Sequence, residues 1–176
     1  MYAGLYFTSI STTSSIFLPY IQSMKLEDLV IASPDVGGSK RASSYAKYLG
    51  VDLVLCHKQR AKANVVESMK IIGDVKGKNV IILDDMVDTA GTITKAADLM
   101  IENGALSVRA FASHGVLSDP ATERIEKSKL TAIYFTDSIP LKKESEKIKV
   151  LSVADLIANT IINVNTNKSI SSSYLV

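Results

Sequence analysis

The clearest pattern along the chain is a series of short apolar runs, each followed by a loop and then by apolar positions at helical spacing. Leu29–Ala32, Leu53–Cys56 and Val80–Leu83 contain no polar residue, which is typical of strands buried on both faces of a sheet. The other predicted strands are Met69–Gly73, Val108–Ala112 and Ala132–Phe135. Strands that alternate with helices predict an α/β domain with a mostly parallel sheet flanked by helices.

The intervening segments show the 3.6-residue period of helices. Predicted helices lie at residues 42–49, 93–101, 121–127 and 153–161, with one or two further turns around Pro19. Gly50 and the Asn103–Gly104 pair are natural helix ends. The segment 1–15 is rich in Ser and Thr and has no period, so we expect a poorly ordered lead-in before one domain at 16–176. Residues 84–91 are predicted to form a loop.

Composition and charge narrow the range of functions. Hydrophobic residues make up 47% of the chain and charged residues 22%, and the formal net charge is +2, as in ordinary globular proteins. Basic residues are interleaved with acidic ones, so we expect no nucleic-acid partner. No apolar run reaches the roughly 18 residues of a spanning helix, so no membrane partner is expected. The single cysteine, Cys56, excludes an intrachain disulfide and is compatible with the cytoplasm.

The strongest chemical signal follows the run Val80–Leu83. Asp84 and Asp85 end this otherwise apolar strand, and the segment 88–92, which we call the Asp88 loop, then enters a helix. The loop consists of Asp88, Thr89, Ala90, Gly91 and Thr92. Free N–H groups at a helix start attract phosphate, and carboxylates can accept hydrogen bonds from sugar hydroxyls or bind Mg²⁺. The pattern therefore predicts a sugar-phosphate site.

A simpler interpretation is a capped helix after a strand, with Asp84 and Asp85 as ordinary loop acids. Helix caps of this kind are common. Two acids at the end of a buried strand are less common, because burial of an unpaired charge costs free energy. We therefore favour the functional interpretation.

Three weaker signals accompany this one. The segment 33–40, which we call the Asp35 loop, offers consecutive glycine N–H groups that could hold a diphosphate, although a plain glycine turn is the alternative. Lys58 and Arg60 lie in a polar stretch, 58–68, predicted as a loop whose default interpretation is a solvated surface. Gly73–Asn79 resembles a phosphate-binding P-loop, but its spacing is one residue short and it precedes a strand, so we interpret it as a turn. Cys56 is predicted to be a core residue, and the roles of His57 and His114 stay open.

Four motifs in the same order resemble the ribose-phosphate diphosphokinases, a family with the type I phosphoribosyltransferase fold. The motifs are Val80–Thr92, Ser33–Arg41, His57–Arg60 followed by Ala63 and Asn64, and Ser171–Leu175. The resemblance extends from about Ser15 to the end of the chain. It departs at Ile161, Ile162 and Asn163, where relatives often carry a pair of arginines.

The resemblance implies a reaction and a role for each motif. The family transfers diphosphate from ATP to ribose 5-phosphate with Mg²⁺, giving phosphoribosyl diphosphate and AMP. Thr89 to Thr92 would hold the 5-phosphate, while Asp84, Asp85 and Asp88 would bind the ribose, directly or through Mg²⁺. Lys58 and Arg60 would be the catalytic cations. The diphosphate would lie on Asp35, Val36, Gly37, Gly38, Ser39 and Lys40, with Asp35 also a metal ligand.

The family also has an N-terminal domain that supplies the adenine site and a metal-binding histidine. No such segment is visible before Ile16, so the chain is expected to be truncated, with little activity alone. It would form a homo-oligomer or assemble with complete family subunits. Two alternatives stay open at this point: a non-catalytic partner that binds phosphoribosyl ligands, and a base phosphoribosyltransferase.

Overall fold

A computed structural model describes residues 13–59 and 68–170, apart from the side chains of Lys58, Gln59 and Ser68. The strands are β1 Leu29–Ser33, β2 Asp52–Gln59, β3 Ser68–Ile72, β4 Asn79–Val87, β5 Ser107–Gly115, β6 Ala132–Thr136 and β7 Ile148–Leu151. The helices are α1 Ser14–Ser23, α2 Ser39–Leu49, α3 Gly91–Glu102, α4 Ala121–Lys127 and α5 Ala154–Asn165.

The strands form one sheet in the spatial order β3-β2-β1-β4-β5-β6-β7. All neighbouring strands are parallel except β2 and β3, which pair antiparallel. β1 and β4 are neighbours at the centre, and the chain reverses its direction of winding between them. Open parallel sheets bind ligands outside the carboxyl ends of their strands at such a switch point. The predicted α/β class with a mostly parallel sheet is confirmed.

Alternate residues of the central strands build a core on each face of the sheet. Val80 and Ile82 belong to the core that includes Ile93 of α3, whereas Ile81 and Leu83 belong to the core that includes α1 and α2. Gly50 ends α2 in the left-handed conformation, with φ of 69°, as predicted from its position after the last apolar residue. The two cores fix the carboxyl ends of β1 and β4 side by side.

The structure also departs from the sequence-based predictions. β4 continues to Val87 rather than ending at Leu83, because Asp84, Met86 and Val87 pair with β5. The predicted loop 84–91 is therefore wrong over its first four residues. β5 likewise continues to Gly115, and β7 was not predicted at all.

The first helix begins before the turns predicted around Pro19. α1 begins at Ser14, and Thr13 and Ser14 are buried. Thr13 Oγ1 lies 3.0 Å from Ser113 Oγ on β5, so a contact distant in sequence anchors this end of the helix. Residues 1–12 of the predicted lead-in lie outside the described part of the chain. Within residues 13–59 and 68–170, no helix has both the length and the apolar character needed to cross a membrane.

Candidate sugar-phosphate site

The two acids of the site lie on the last part of β4. Asp84 Oδ1 accepts the N–H of Asp85 at 2.9 Å, and Asp85 Oδ1 accepts the N–H of Met86 at 2.9 Å. The Asp84 side chain is 22% exposed and the Asp85 side chain 45% exposed. Both carboxylates are thus held by backbone N–H groups while they retain access to solvent.

Arg41, on the first turn of α2, spans both carboxylates. Its Nη1 lies 3.5 Å from Asp84 Oδ1 and its Nη2 lies 3.5 Å from Asp85 Oδ2. The Arg41 side chain is 13% exposed, and its Nε and Nη1 have no hydrogen-bond partner among the described residues. We did not assign Arg41 a role from the sequence. Its place as the last residue of the Ser33–Arg41 motif was the only available signal.

The negative charge of the acid pair is distributed unequally between Asp84 and Asp85. Burial, followed by the interaction with Asp85, raises the pKa of Asp84 to about 7, against a partial lowering by Arg41. Burial also acts to raise the pKa of Asp85, but the hydrogen bond with Asp84 and the charge of Arg41 outweigh it, so that this pKa is lowered. Near neutral pH the pair therefore carries its negative charge mainly on Asp85, and Asp84 can hold a proton.

The Asp88 loop presents backbone N–H groups. The N–H groups of residues 89–93 donate to no acceptor among the described residues. They lie at the start of α3, where the helix dipole is positive. Ala90 has a φ of 59°, in the left-handed region, and its carbonyl accepts both the N–H of Thr94 at 3.1 Å and the Oγ1–H of Thr94 at 2.7 Å. A non-glycine residue in this conformation costs about 1–3 kcal/mol, and such strain concentrates at functional sites.

The Asp88 loop, Asp35 and Asp84 enclose one cavity of about 180 Å³, and Asp85, the next residue of β4, does not line it. Its lining residues are Asp35, Asp84, Met86, Val87, Asp88, Thr89, Ala90, Gly91, Thr92 and Ile93. The volume is several times the roughly 30 Å³ of a water molecule. A carboxylate edge and an edge of N–H donors thus face the same space, as a sugar phosphate requires.

A larger cavity of about 510 Å³ lies at the other end of the strands, between Leu29, Leu49 and Lys78. In an open parallel sheet, however, the amino ends of the strands lack the binding loops that follow the carboxyl ends. Lys78 is also already paired with Asp52, at 3.2 Å. We therefore place the candidate site in the smaller cavity.

The Asp35 loop is closed by its own hydrogen bonds. Asp35 Oδ1 accepts the N–H of Gly38 at 2.9 Å, and Ser33 Oγ donates to the Asp35 carbonyl at 2.7 Å. A Cβ atom added to Gly38 would lie 2.7 Å from Ser33 Oγ, so glycine is needed there for steric reasons. Of this loop, Asp35 alone lines the small cavity. Val36 and Gly37 are exposed, and Ser39 and Lys40 lie in the first turn of α2.

Several predicted residues have other surroundings. Cys56 is fully buried, and burial, with a smaller contribution from Asp35, raises the pKa of its thiol to about 11, which confirms it as a core residue. His114 lies within β5, and its Nδ1 is 2.8 Å from Ser138 Oγ. The P-loop-like stretch Gly73–Asn79 is the turn between β3 and β4.

Two predicted motifs lie partly or wholly outside the described residues. The Lys58 side chain and Arg60, Ala63 and Asn64 lie outside the described residues, as do Ser171 to Leu175. Among the residues that the structure does describe, no group of three or more His, Cys, Asp or Glu side chains is arranged to hold a metal ion.

Comparison with known proteins identifies close relatives. Residues 59–176 match the model of the family described as phosphoribosyl synthetase-associated domain. The chain is 59% identical over 162 residues to a ribose-phosphate pyrophosphokinase of Porphyromonas gingivalis, covering 92% of this chain and 52% of that protein. The chain therefore spans about half the length of the curated relatives it matches.

Solved structures agree with this family. The phosphoribosylpyrophosphate synthetase of Mycobacterium smegmatis superposes with a TM-score of 0.81 at 39% identity, over 88% of this chain and 51% of that one. An adenine phosphoribosyltransferase of Trypanosoma brucei gives a TM-score of 0.53 at 17% identity, over 78% of this chain and 62% of that one. The second likeness shows the fold alone, and the predicted phosphoribosyltransferase-like architecture is confirmed.

Proposed function

Because the chain belongs to the phosphoribosyl synthetase-associated domain family, we propose that it builds the ribose 5-phosphate site of a ribose-phosphate diphosphokinase. The reaction would transfer diphosphate from ATP to the C1 hydroxyl of ribose 5-phosphate, giving phosphoribosyl diphosphate and AMP. The observation that carries the proposal is the small cavity, which Asp84 lines together with the Asp88 loop, whose N–H groups at residues 89–93 donate to no acceptor among the described residues.

The two edges of the cavity would bind the two ends of the substrate. The N–H groups of residues 89–92 and the hydroxyls of Thr89 and Thr92 would hold the 5-phosphate. Asp85, charged at neutral pH, would accept hydrogen bonds from ribose hydroxyls, while Asp84 can donate its proton or accept. Binding both ends of the sugar fixes the position of its C1 hydroxyl, and such positioning supplies about 7–11 kcal/mol in favourable cases.

Mg²⁺ fits the donors that the site offers. The ion is usually bound through one or two carboxylates together with substrate phosphates and water, so a cage of several protein ligands is not required. We assign the ion to Asp35. Its Oδ1 accepts the N–H of Gly38, but its Oδ2 accepts no hydrogen bond from the described residues and could bind the ion. The bound ion would neutralise charge on the diphosphate beside the Asp35 loop, whose residues Asp35 to Lys40 we assign to that group.

Lys58 and Arg60 would stabilise the charge that develops on the transferred group. The proposal rests on their sequence motif and on the backbone of β2, which pairs with the carboxyl end of β1 at Leu55 and continues to Gln59. Loss of one such donor typically lowers kcat by about 10²–10³. Lys58→Ala and Arg60→Ala should therefore reduce turnover by that factor, and they should change substrate affinity much less.

The test is release of AMP from ATP and ribose 5-phosphate. The 176-residue chain would be assayed with Mg²⁺, alone and mixed with the part of the Porphyromonas gingivalis relative outside the matched region. We expect AMP release in the mixture and its loss in the Lys58 and Arg60 variants. Binding of ribose 5-phosphate without AMP release in either sample would instead favour a partner subunit that only binds phosphoribosyl ligands.

Assembly with further copies or with complete relatives is part of the proposal. Helix α5 exposes four large apolar side chains: Ile157 at 41%, Ile161 at 61%, Ile162 at 56% and Val164 at 49%. A contiguous exposed apolar patch is a common mark of an interface. Ile161→Lys with Ile162→Lys should then lower the mass measured by light scattering, whereas an unchanged mass would remove α5 from the interface.

A further inference from the structure

Arg124 of α4 contacts the Asp88 loop from outside the small cavity. Its Nη1 donates to the carbonyl of Thr89 at 2.9 Å. The same Nη1 lies 3.5 Å from the position of a Cβ atom added to Gly91, so the guanidinium lies against the loop backbone. Arg124 lines a second cavity, with Lys95 and Lys127, and Gly91 lines both cavities. The backbone of the Asp88 loop therefore separates Arg124 from the small cavity.

The hydrogen bond fixes the direction of one peptide group. In a trans peptide the carbonyl and the following N–H point in opposite directions. Because the Thr89 carbonyl points towards Arg124, the N–H of Ala90 points away from it, towards the small cavity. Rotation of this peptide plane by half a turn would exchange the two groups and present a carbonyl oxygen to any bound phosphate.

The observed orientation of the Thr89–Ala90 peptide requires a backbone conformation that L-residues rarely adopt. Rotation of the Thr89–Ala90 peptide changes the φ of Ala90, which is 59° in the structure. L-residues other than Asn and Asp rarely adopt this region. The Ala90 carbonyl is held separately by Thr94, which leaves the Thr89–Ala90 peptide as the part of the loop that depends on Arg124.

We propose that Arg124 is a positioning residue of the Asp88 loop, which keeps the Thr89–Ala90 peptide turned so that the Ala90 N–H is available to the phosphate of the substrate. This role rests on the proposed function, because the phosphate that the Ala90 N–H would bind is that of the proposed substrate, a sugar phosphate. Arg124 itself acts through the loop backbone, and its charge adds to the positive potential at the start of α3.

The test compares Arg124→Met with Lys127→Met. Both variants remove one positive charge from α4, but Lys127 is paired with Glu123 and is 75% exposed. We expect Arg124→Met to weaken binding of ribose 5-phosphate about tenfold or more, as loss of a phosphate donor implies, and to weaken binding of ribose without phosphate much less. Lys127→Met should change either affinity by less than about twofold.

A second measurement does not depend on the ligand. In a crystal structure of ligand-free Arg124→Met, the φ of Ala90 should become negative. In the binding assay, Arg124→Lys, which keeps a charged donor, should lose less affinity than Arg124→Met. Retention of the left-handed Ala90 in Arg124→Met would overturn the inference, whatever the binding data show. If the unaltered chain bound no ribose 5-phosphate, the proposed function would fail, while the φ of Ala90 would still decide the role of Arg124.

Discussion

The two loops at the carboxyl ends of β1 and β4 satisfy their backbone groups in opposite ways. The Asp35 loop uses its own side chains, since Asp35 accepts the Gly38 N–H and Ser33 donates to the Asp35 carbonyl. In the Asp88 loop, by contrast, the N–H groups of residues 89–93 have no acceptor among the described residues, and the contacts that hold it come from Arg124 and Thr94.

The difference separates a loop braced by its own side chains from one whose N–H groups have no acceptor among the described residues. Backbone N–H groups are strong donors, and leaving them without a protein partner at a helix start is stable only when water or a ligand accepts from them. Substitutions that break the internal hydrogen bonds of the Asp35 loop should therefore lower stability, and those in the Asp88 loop should mainly weaken binding of ribose 5-phosphate. Matched substitutions in the two loops can test this division.

The largest effect on stability is expected from the glycines. Gly38→Ala should lower the free energy of unfolding by about 1–3 kcal/mol, the usual cost of overpacking, because the new methyl group can fit only if Ser33 gives up its hydrogen bond. Gly91→Ala places its Cβ at an ordinary contact distance and should change stability by less than about 0.5 kcal/mol. Urea unfolding of both variants measures this, and equal losses would contradict the division.

The acid pair between the loops should give the next effect, on the pH dependence of stability. The pKa of Asp84 is raised from 3.8 to about 7, so between these values the folded chain binds a proton that the unfolded chain releases. The contribution of Asp84 to stability must therefore fall as pH rises from about 4 to 7.

The comparison that isolates this contribution is Asp84→Asn against the unaltered chain. Carboxyls outside the pair whose pKa is lowered, such as Asp137, act in the opposite direction but are common to both proteins. Thermal unfolding from pH 4 to 8 without ligand or Mg²⁺ should show the variant gaining stability relative to the unaltered chain as pH rises. A constant difference across this range would show that Asp84 titrates normally.

The smallest expected effect on stability comes from the same substitution in each loop. Asp35→Ala removes the acceptor of the Gly38 N–H and should cost about 1 kcal/mol, as for loss of a helix cap. Asp88→Ala removes a carboxylate that makes no hydrogen bond among the described residues, so its stability should change by less than about 0.5 kcal/mol. Isothermal titration without Mg²⁺ should show the reverse order for the affinity for ribose 5-phosphate, with a larger loss in Asp88→Ala than in Asp35→Ala. A larger stability loss in Asp88→Ala would reverse the roles assigned to the loops.

The sequence predicted the Asp88 loop because strand, acids, loop and helix are neighbours along the chain. It failed where the decisive contact is distant in sequence. Residues 84–87 were predicted to form a loop because the apolar pattern stops at Leu83, yet pairing with β5 extends the strand. The interactions of Arg41 with Asp84 and Asp85, and of Arg124 with the Thr89 carbonyl, depend on packing that no local pattern encodes. β7 was missed because its two middle residues, Lys149 and Val150, are exposed.

The central claim is that the Asp84–Asp85 pair and the Asp88 loop form one sugar-phosphate site. The most direct test is calorimetric titration of the 176-residue chain with ribose 5-phosphate and Mg²⁺, beside ribose and beside the double variant Asp84→Asn with Asp85→Asn. We predict saturable binding of ribose 5-phosphate, at least tenfold weaker binding of ribose, and no detectable binding of ribose 5-phosphate by the double variant. Equal binding of ribose 5-phosphate by the unaltered chain and the double variant would contradict the claim.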